Sequence, residues 1–396
     1  MARLIIQDTH DRVRKGHPWV FDNQVLRVDG SARPGDAVQV FDAERGPIGQ
    51  ALYNPRSRII ARMIERSLDR AIDEDFLRER LIAAWTHRQR YGYDRSARMV
   101  FGEADGLPGL VVDKFDDVLV IQTLALGMDR MKPGIVTILN EIFQPRGIYE
   151  RNDVPVREKE GLEQVRGALS GPFETTLLVE ENWPPGAGNG VRFAVDVAKG
   201  QKTGHFLDQV ANHAAIRPFC DGARVLDLFT HTGGFALHAA KYGAAEVLGV
   251  DISEEACSQA RTNATINGLE DRCSFRTENV FDFLTAASRR GMQWDMIVLD
   301  PPAFAKSRAA LDKAQRGYKE IALRAMKCLP PGGTLVTCSC SQHMTPELFR
   351  RTTEAAANDA HRQLREVYHG TQPPDHPVLW SFPESLYLKC YMLQAL

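Results

Sequence analysis

From Lys199 onward, apolar runs alternate with helix-patterned stretches, and that alternation constrains the fold more than any other feature of the chain. ARVLDLFT (223–230), EVLGVDI (246–252), DMIVLDPP (295–302) and GTLVTCSC (333–340) are near-continuous apolar runs ending in polar or special residues. Such runs read as strands buried on both faces. Between them lie helical stretches, FALHAAKYG (235–243) and SEEACSQARTNATING (253–268) among them. The second opens on Ser253 as an N-cap, carries Glu254 and Glu255 where the helix dipole favours negative charge, and stops at Gly268. Strands crossed by helices predict a parallel sheet covered on both faces, a Rossmann-like α/β domain over residues 190–396.

Earlier in the chain the pattern differs. PGDAVQVFDAERGPIGQALYNPRSRIIARMI (34–64) alternates apolar and polar positions, broken at Pro34-Gly35, Gly46-Pro47 and Asn54-Pro55. Residues 1–72 therefore read as a small β-barrel-like module. Near Asp73 the period changes, and EDFLRERLIAAWTHRQR (74–90) sets Phe76, Leu77, Leu81, Ile82 and Trp85 on one helical face. LPGLVVDKF (107–115) and VLVIQTL (118–124) predict strands joined at Asp116-Asp117, followed by a helix through MKPGIVTILNEIF (131–143) and a strand at IYERND (148–153). TTLLVEE (175–181) and VRFAVDV (191–197) then flank the turn-rich NWPPGAGNG (182–190). Residues 73–189 form an α+β middle domain in this reading. At ~150 residues per domain, the length of the chain accommodates two or three domains.

Apolar content of 43% and charge of 25% are ordinary for a chain with packed cores. No apolar run reaches the ~18 residues of a membrane span, and the charged start is unlike a secretory signal. The seven cysteines are scattered and form no CxxC pair, which fits neither a disulfide framework nor a zinc site. A reduced cytoplasm, with no membrane and no metal, is the expectation. Net charge is −2, so a polyanionic ligand would have to meet local basic patches. Residues 1–70 carry twelve Lys/Arg against nine Asp/Glu, and residues 303–329 carry seven against two. Lys306, Arg308, Lys313, Arg316 and Lys319 are either phosphate contacts or a solvated helix face.

Ligands of open α/β sheets bind beyond the carboxyl ends of the strands. After the first strand comes DLFTHTGGFA (227–236), where Gly233 and Gly234 permit a tight turn and Thr230 and Thr232 offer hydroxyls. After the second comes Asp251, 24 residues beyond Asp227 and placed to accept from a ribose diol. Neither GxGxxG nor GxxxxGK[ST] is present, which argues against a dinucleotide or a nucleoside triphosphate. An acid before a short glycine pair suits a cofactor with a positive charge and no pyrophosphate, and S-adenosylmethionine meets that description. Alone, the glycine pair could be a plain strand-to-helix turn; acids at two further strand ends weigh against that.

The third strand stops at Asp300-Pro301-Pro302, because consecutive prolines cannot donate to a ladder. Cys338 and Cys340, two apart on the next strand, share a face, with Cys340 ~6–7 Å nearer the carboxyl end. Cys340 is thus the one expected to reach the crevice, and Cys338 to be buried. Carbon 5 of cytosine is not nucleophilic by itself; a thiolate adding at carbon 6 makes it so. Methylation of a ring nitrogen or an exocyclic amine needs no thiol.

In these motifs the chain resembles the ribosomal RNA large-subunit methyltransferase I family, which forms 5-methylcytosine in 23S rRNA. HPWVF (17–21) and the following GD…LYNPRSRIIARM pattern resemble its PUA domain, and GEADGLPGLVVDKF (102–115) its middle domain. QKTGHFLDQ (201–209), DLFTHTGGFA, VDIS, DPPAF, RGYKEI (316–321), SCS (339–341), DHPV (375–378) and YLK (387–389) follow in the order of its class I methyltransferase domain. The resemblance implies cofactor contacts from Lys202, Thr203, Gly204, Phe206, Asp208, Asp227, Phe229, Thr230, Gly233, Gly234, Asp251, Ile252, Asn279 and Asp300. It places the catalytic thiol at Cys340 and has Asp300 hydrogen-bond the target base. S-adenosylhomocysteine would be the product and large-subunit ribosomal RNA the substrate, with a homodimer left open. Val210 replaces the family's frequent Arg after LDQ, Ala303 its frequent Lys after DPP, and Asn279 the adenine-contacting acid. Asn279 is expected to accept through its carbonyl oxygen instead.

Two other functions compete. A base-nitrogen methyltransferase could use the DPP loop without a covalent adduct, which leaves Cys340 unexplained. A non-catalytic RNA-binding assembly factor could keep the fold, which leaves the cofactor loop unexplained.

Overall fold

The alternating pattern of the first 70 residues resolves into six strands, β1 (Arg3–Ile6), β2 (Trp19–Phe21), β3 (Val25–Asp29), β4 (Ala37–Asp42), β5 (Gly46–Tyr53) and β6 (Ile59–Glu65). In the computed structural model, which describes residues 1–305 and 307–396, they form one sheet in the order β2-β6-β5-β4-β1-β3. Alternate positions turn inward, so Val38 and Val40 meet Leu4, Ile6, Val20, Ala51 and Ala61 in a shared core. Lys306 lies outside the described residues.

By its contacts the chain divides into two compact units. Met1–Val179, Val195–Leu207 and Pro374–Ser385 make the first; Glu180–Ala194, Asp208–Pro373 and Leu386–Leu396 make the second. In the first unit α1 (Glu74–Arg90) starts at its expected cap, where Asp73 accepts from the Phe76 amide at 3.0 Å. Its buried residues are Phe76, Leu77, Leu81, Ala84 and Arg88. Ile82, expected on that face, is 45% exposed instead. The stripe steps from Leu77 to Leu81, Ala84 and Arg88, so the position after Leu81 turns about 100° away from it. The inward place near the helix end goes to Arg88, whose guanidinium pairs with both Asp105 oxygens at 2.6 and 2.8 Å and with the Asp375 carbonyl at 2.7 Å. Full pairing makes a buried guanidinium tolerable.

A second sheet of this unit takes β7 (Ser96–Phe101), β8 (Leu110–Phe115), β9 (Val118–Thr123), β10 (Gly147–Asn152) and β11 (Val165–Ser170) in the order β11-β10-β9-β8-β7. The β8–β9 turn falls at Asp116, as expected. The helix after it, α2 (Leu126–Phe143), begins five residues before the stretch read as helical and carries Pro133 inside it. The hairpin of β12 (Thr176–Glu181) and β13 (Val191–Asp196) takes part in both units.

The second unit holds the alternating region. Its strands are β14 (Arg224–Leu228), β15 (Glu246–Asp251), β16 (Cys273–Thr277), β17 (Met296–Leu299), β18 (Thr334–Ser339), β19 (Leu364–Gly370) and β20 (Lys389–Ala395). Its helices are α3 (Val210–Ala215), α4 (Gly234–Lys241), α5 (Glu254–Asn267), α6 (Val280–Arg289), α7 (Leu311–Lys327) and α8 (Pro346–Asp359). Ser253 caps α5 through the Ala256 amide, and Gly268 ends it at φ 65°. The strand order is β16-β15-β14-β17-β18-β20-β19. β14, β15, β17 and β18 pair in parallel, as their sequences predict, while β20 runs antiparallel to both of its neighbours. No crossover helix separates β19 from β20, so the chain re-enters the sheet from its carboxyl edge. Leu226, Leu228, Ile297, Leu299 and Leu335 from the sheet pack with Phe283, Tyr318, Ile321 and Phe349 from the helices. Later strands leave β14 in both directions, which makes the carboxyl ends of β14 and β17 the topological switch point. None of the described helices is long and apolar enough to cross a membrane.

Candidate active site

Asp227, in β14 beside that switch point, is 1% exposed. Its Oδ2 accepts from the Thr230 hydroxyl at 2.6 Å and the Ala236 amide at 3.0 Å. Burial pushes its carboxyl up to about 7; those two hydrogen bonds oppose the rise and nearby Asp300 adds to it. The loop that follows bends through left-handed backbone at Phe229 (φ 63°) and His231 (φ 50°) before Gly233 (φ 90°) opens α4. Such conformations cost on the order of 1 kcal/mol at a non-glycine residue and cluster at ligand sites. A Cβ at Gly234 would stand 2.7 Å from the His213 ring, so the loop rests directly on that imidazole.

Beneath the loop, Glu181 Oε2 lies 2.8 Å from His213 Nδ1 and 3.5 Å from His238 Nε2. His238 Nδ1 lies 2.9 Å from the Gly234 carbonyl. Burial lowers the His213 pKa, but Glu181, with Asp300 and Asp227, reverses this and holds it above its ordinary value. Among the described residues this trio is the one group whose ligand atoms lie close enough to share a cation. The 2.8 Å contact is the length of a charge-assisted hydrogen bond.

Asp251 ends β15 and is half-buried. Its Oδ2 accepts from the His231 amide and its Oδ1 from the Ser253 amide, both at 3.0 Å, which leaves each oxygen a further lone pair. Ile252 beside it is 70% exposed. Asn279 caps α6, its carbonyl oxygen accepting from the Phe281 and Asp282 amides at 2.9 and 3.3 Å. The oxygen expected to meet adenine is engaged in capping, so the side-chain NH2 is the group Asn279 offers outward.

Asp300 directly follows β17, and its Oδ2 accepts from the Gln209 side chain at 2.9 Å. Cys338 is fully buried and opposite Cys390 in the β18–β20 register. Burial, then Cys390 and Asp300, push its thiol well above the ordinary value, so it stays protonated. Cys340, one residue past the end of β18, is half-exposed. Its flanking serines are locked in place: Tyr318 Oη bonds Ser339 Oγ at 3.0 Å and Ser341 Oγ at 3.1 Å, and the Ala305 amide donates to Ser341 Oγ at 3.3 Å. Lys389, at the start of β20, donates to the Ser341 and Tyr387 carbonyls, each at 2.8 Å. Gln209, Tyr318, Ser339, Ser341 and Lys389 were not assigned roles from sequence, although each sits inside a motif quoted above.

Of the remaining predicted residues, Asp208 belongs to the second unit and accepts from Tyr387 Oη at 2.6 Å. Lys202, Thr203, Gly204 and Phe206 belong to the first unit. Lys202 Nζ sits 4.4 Å above the Phe206 ring, and the Thr203 hydroxyl donates to Asp113, which Arg98 holds with two hydrogen bonds. The DHPV motif serves the same unit, Asp375 accepting from the Arg98 amide and from Tyr93 Oη. Beyond the DPP turn, Arg308, Lys313 and Arg316 are exposed, while Lys319 pairs with Asp359 at 2.7 Å.

Asp227 beside the glycine turn, the Asp251 lone pairs and the exposed Ile252 surface fit a nucleoside carrying a cationic amine. The model of the S-adenosylmethionine-dependent methyltransferases matches residues 170–381, more than half of the chain, and that of a PUA-like domain matches residues 5–66. The fold and the family together define an S-adenosylmethionine-dependent methyltransferase with a PUA-like N-terminal domain. A crystal structure of a methyltransferase complexed with SAH shares the fold at TM-score 0.84 and 19% identity, covering 100% of both chains. Ribosomal RNA large subunit methyltransferase I of Alteromonas mediterranea is 38% identical over 98% of this chain and 97% of its own. The protein of that name from Shewanella amazonensis is 41% identical over 94% of each. The chain belongs to the ribosomal RNA large subunit methyltransferase I family.

Proposed function

We propose that this protein methylates carbon 5 of a cytosine in large-subunit ribosomal RNA, through a covalent adduct between Cys340 and carbon 6. The observation that carries the reading is a half-exposed thiol immediately beyond β18, on the same carboxyl edge as Asp227, Asp251 and Asp300. Full-length similarity to relatives named for ribosomal RNA supports the substrate class.

In this reading Asp227 and the Gly233–Gly234 turn hold the methionine end of the cofactor, and Asp251 accepts from its ribose diol. Asp208, Phe229, Thr230, Ile252 and Asn279, all of the second unit, complete the binding set. Bound there, S-adenosylmethionine supplies an electrophilic methyl group on a sulfonium. The Cys340 thiolate adds to carbon 6 of an unstacked cytosine, and the displaced electron pair makes carbon 5 the nucleophile. Asp300, oriented by Gln209, hydrogen-bonds the base and stabilises the adduct as it forms. Once carbon 5 is methylated, loss of its proton reforms the ring double bond and expels the Cys340 thiolate. The PUA-like domain docks the RNA in this reading, and the exposed Arg308, Lys313 and Arg316 are available to its phosphates.

The test is incubation of ribosomal RNA from a deletion strain with enzyme and labelled cofactor, followed by bisulfite mapping and nucleoside mass spectrometry. A new conversion-resistant cytosine is expected. An N-methylated nucleoside, or no product, refutes the reading. Cys340→Ala should abolish turnover and leave cofactor binding intact.

A further inference from the structure

Glu181 at the end of β12, His213 on α3 and His238 on α4 come from three separated stretches of sequence, without the close spacing of a metal motif. The fold gathers them inside the second unit, 3%, 4% and 3% exposed, with one ligand atom from each within 4.8 Å of the others. Glu181 Oε2 stands 2.8 Å from His213 Nδ1 and 3.5 Å from His238 Nε2. Neighbouring ligand atoms of a tetrahedral zinc, each ~2.0–2.1 Å from the ion, are about 3.3 Å apart. The two separations straddle that value. The Gly234 carbonyl can only accept, so His238 Nδ1, 2.9 Å away, carries the ring proton. In the neutral ring the Nε2 lone pair then faces the Glu181 carboxylate, acceptor against acceptor. A proton on His213 accounts for the shorter contact and leaves the longer one unexplained; a cation accounts for both. A ring N–H held by a backbone carbonyl is also how proteins orient a metal-binding imidazole. Phe235 meets the His213 ring edge-on at 4.5 Å and Phe193 stacks against His238 at 6.2 Å, so apolar rings flank the cluster.

We propose that Glu181 Oε2, His213 Nδ1 and His238 Nε2 bind a zinc ion. Two imidazoles and a carboxylate suit zinc, whereas magnesium and calcium take sets of oxygen ligands. Three protein ligands leave one position of the tetrahedron to a water molecule. The role is structural. Gly234 rests on both histidines: a Cβ there would stand 2.7 Å from the His213 ring, and its carbonyl accepts from His238. An ion joining the two rings to Glu181 therefore fixes the glycine turn from beneath, away from the reacting atoms. The scattered cysteines of this chain take no part. The site is separate from the methyl transfer proposed above and stands whichever base is the substrate.

The experiment uses the full chain, prepared without an affinity tag and without chelators. Elemental mass spectrometry should find one zinc per chain. X-ray absorption at the zinc edge should show nitrogen and oxygen neighbours at about 2.0–2.2 Å and no sulfur at about 2.3 Å. In competition against a chromophoric chelator, His238→Gln and Glu181→Gln should each weaken zinc binding by about 100-fold or more, the upper end even for loss of an outer-shell partner. Substitution of the exposed His361 by Gln should leave it unchanged. Zinc added to the metal-stripped protein should raise the melting temperature of the wild type and not that of His238→Gln. Circular dichroism identifies a variant that has failed to fold, in which case the wild-type absorption spectrum decides alone. Absence of stoichiometric zinc, another metal in its place, sulfur ligation, or an affinity that survives both substitutions overturns the site.

Discussion

Asp227 should make cofactor affinity steeply dependent on pH. Its carboxyl is lifted to about 7 because burial strips it of water and only two hydrogen bonds compensate. A cationic amine binds the ionised form, so the free protein is competent only in proportion to that fraction. With a pKa of about 7, roughly 76% of molecules are ionised at pH 7.5 and about 3% at pH 5.5, so the apparent Kd should rise about 25-fold on acidification. His213, held above its ordinary pKa by Glu181, favours the ionised form of Asp227, which makes 25-fold the upper figure. Calorimetry of S-adenosylmethionine binding between pH 5.5 and 7.5 measures the slope, and Asp227→Asn should bind weakly and flatten it.

The same group also predicts the stability of the cofactor-free protein, with the opposite sense. The folded pKa lies above the unfolded 3.8, so the folded state binds the extra proton and stability falls as pH rises from about 4 to about 7. The loss at pH 8 is on the order of 4 kcal/mol, and Asp227→Asn should therefore melt above the cofactor-free wild type there. Flat wild-type affinity across the range, a slope that survives in Asp227→Asn, or a lower melting temperature for that variant at pH 8 would each refute the assignment.

Three further outcomes can be measured. Arg88→Met leaves the paired carboxylate of Asp105 buried without its partner and should cost about 3–5 kcal/mol in urea unfolding. Gly234→Ala drives a methyl group to 2.7 Å from the His213 ring; overpacking of about 1–3 kcal/mol and weakened cofactor binding should appear together in calorimetry. Tyr318→Phe removes the hydroxyl that joins Ser339 to Ser341, and should lower kcat several-fold while leaving the cofactor Kd unchanged.

The sheet strands were legible because a strand buried on both faces has to be close to continuously apolar, as MIVL is. The carboxyl-end acids were legible for a related reason: Asp227, Asp251 and Asp300 stand where an apolar run breaks, and a charge there needs an explanation. What escaped lacked such contrast. β7, SARMVF, and β11, VRGALS, neither alternate strictly nor run continuously apolar, and β16, CSFRT, alternates over only five positions. Ile82 was placed inward because its hydrophobicity outweighed its angle, while Arg88, which does turn inward, looked like a surface residue. Only the carboxylate of Asp105 and the carbonyl of Asp375, distant in sequence, show why it is buried.

The local environment of Cys340 could not be read from its own segment, because its parts come from three separated motifs. The residue after DPPAF contributes the Ala305 amide, RGYKEI contributes Tyr318, and YLK contributes Lys389. Each motif alone has a bland explanation: a strand stop, an amphipathic helix and a C-terminal strand start. They have one physical requirement in common. A thiol at a strand end is held only by its two peptide bonds, and a nucleophile that wanders loses the advantage of orientation. Tyr318 fixes the residues on either side of Cys340 through their hydroxyls, and Lys389 fixes the carbonyl that follows it. The spacing of SCS is then the spacing of a clamp. The serines point toward α7 and the DPPAF turn, so by strand alternation the thiol between them points away from that anchorage, as its half-exposure requires.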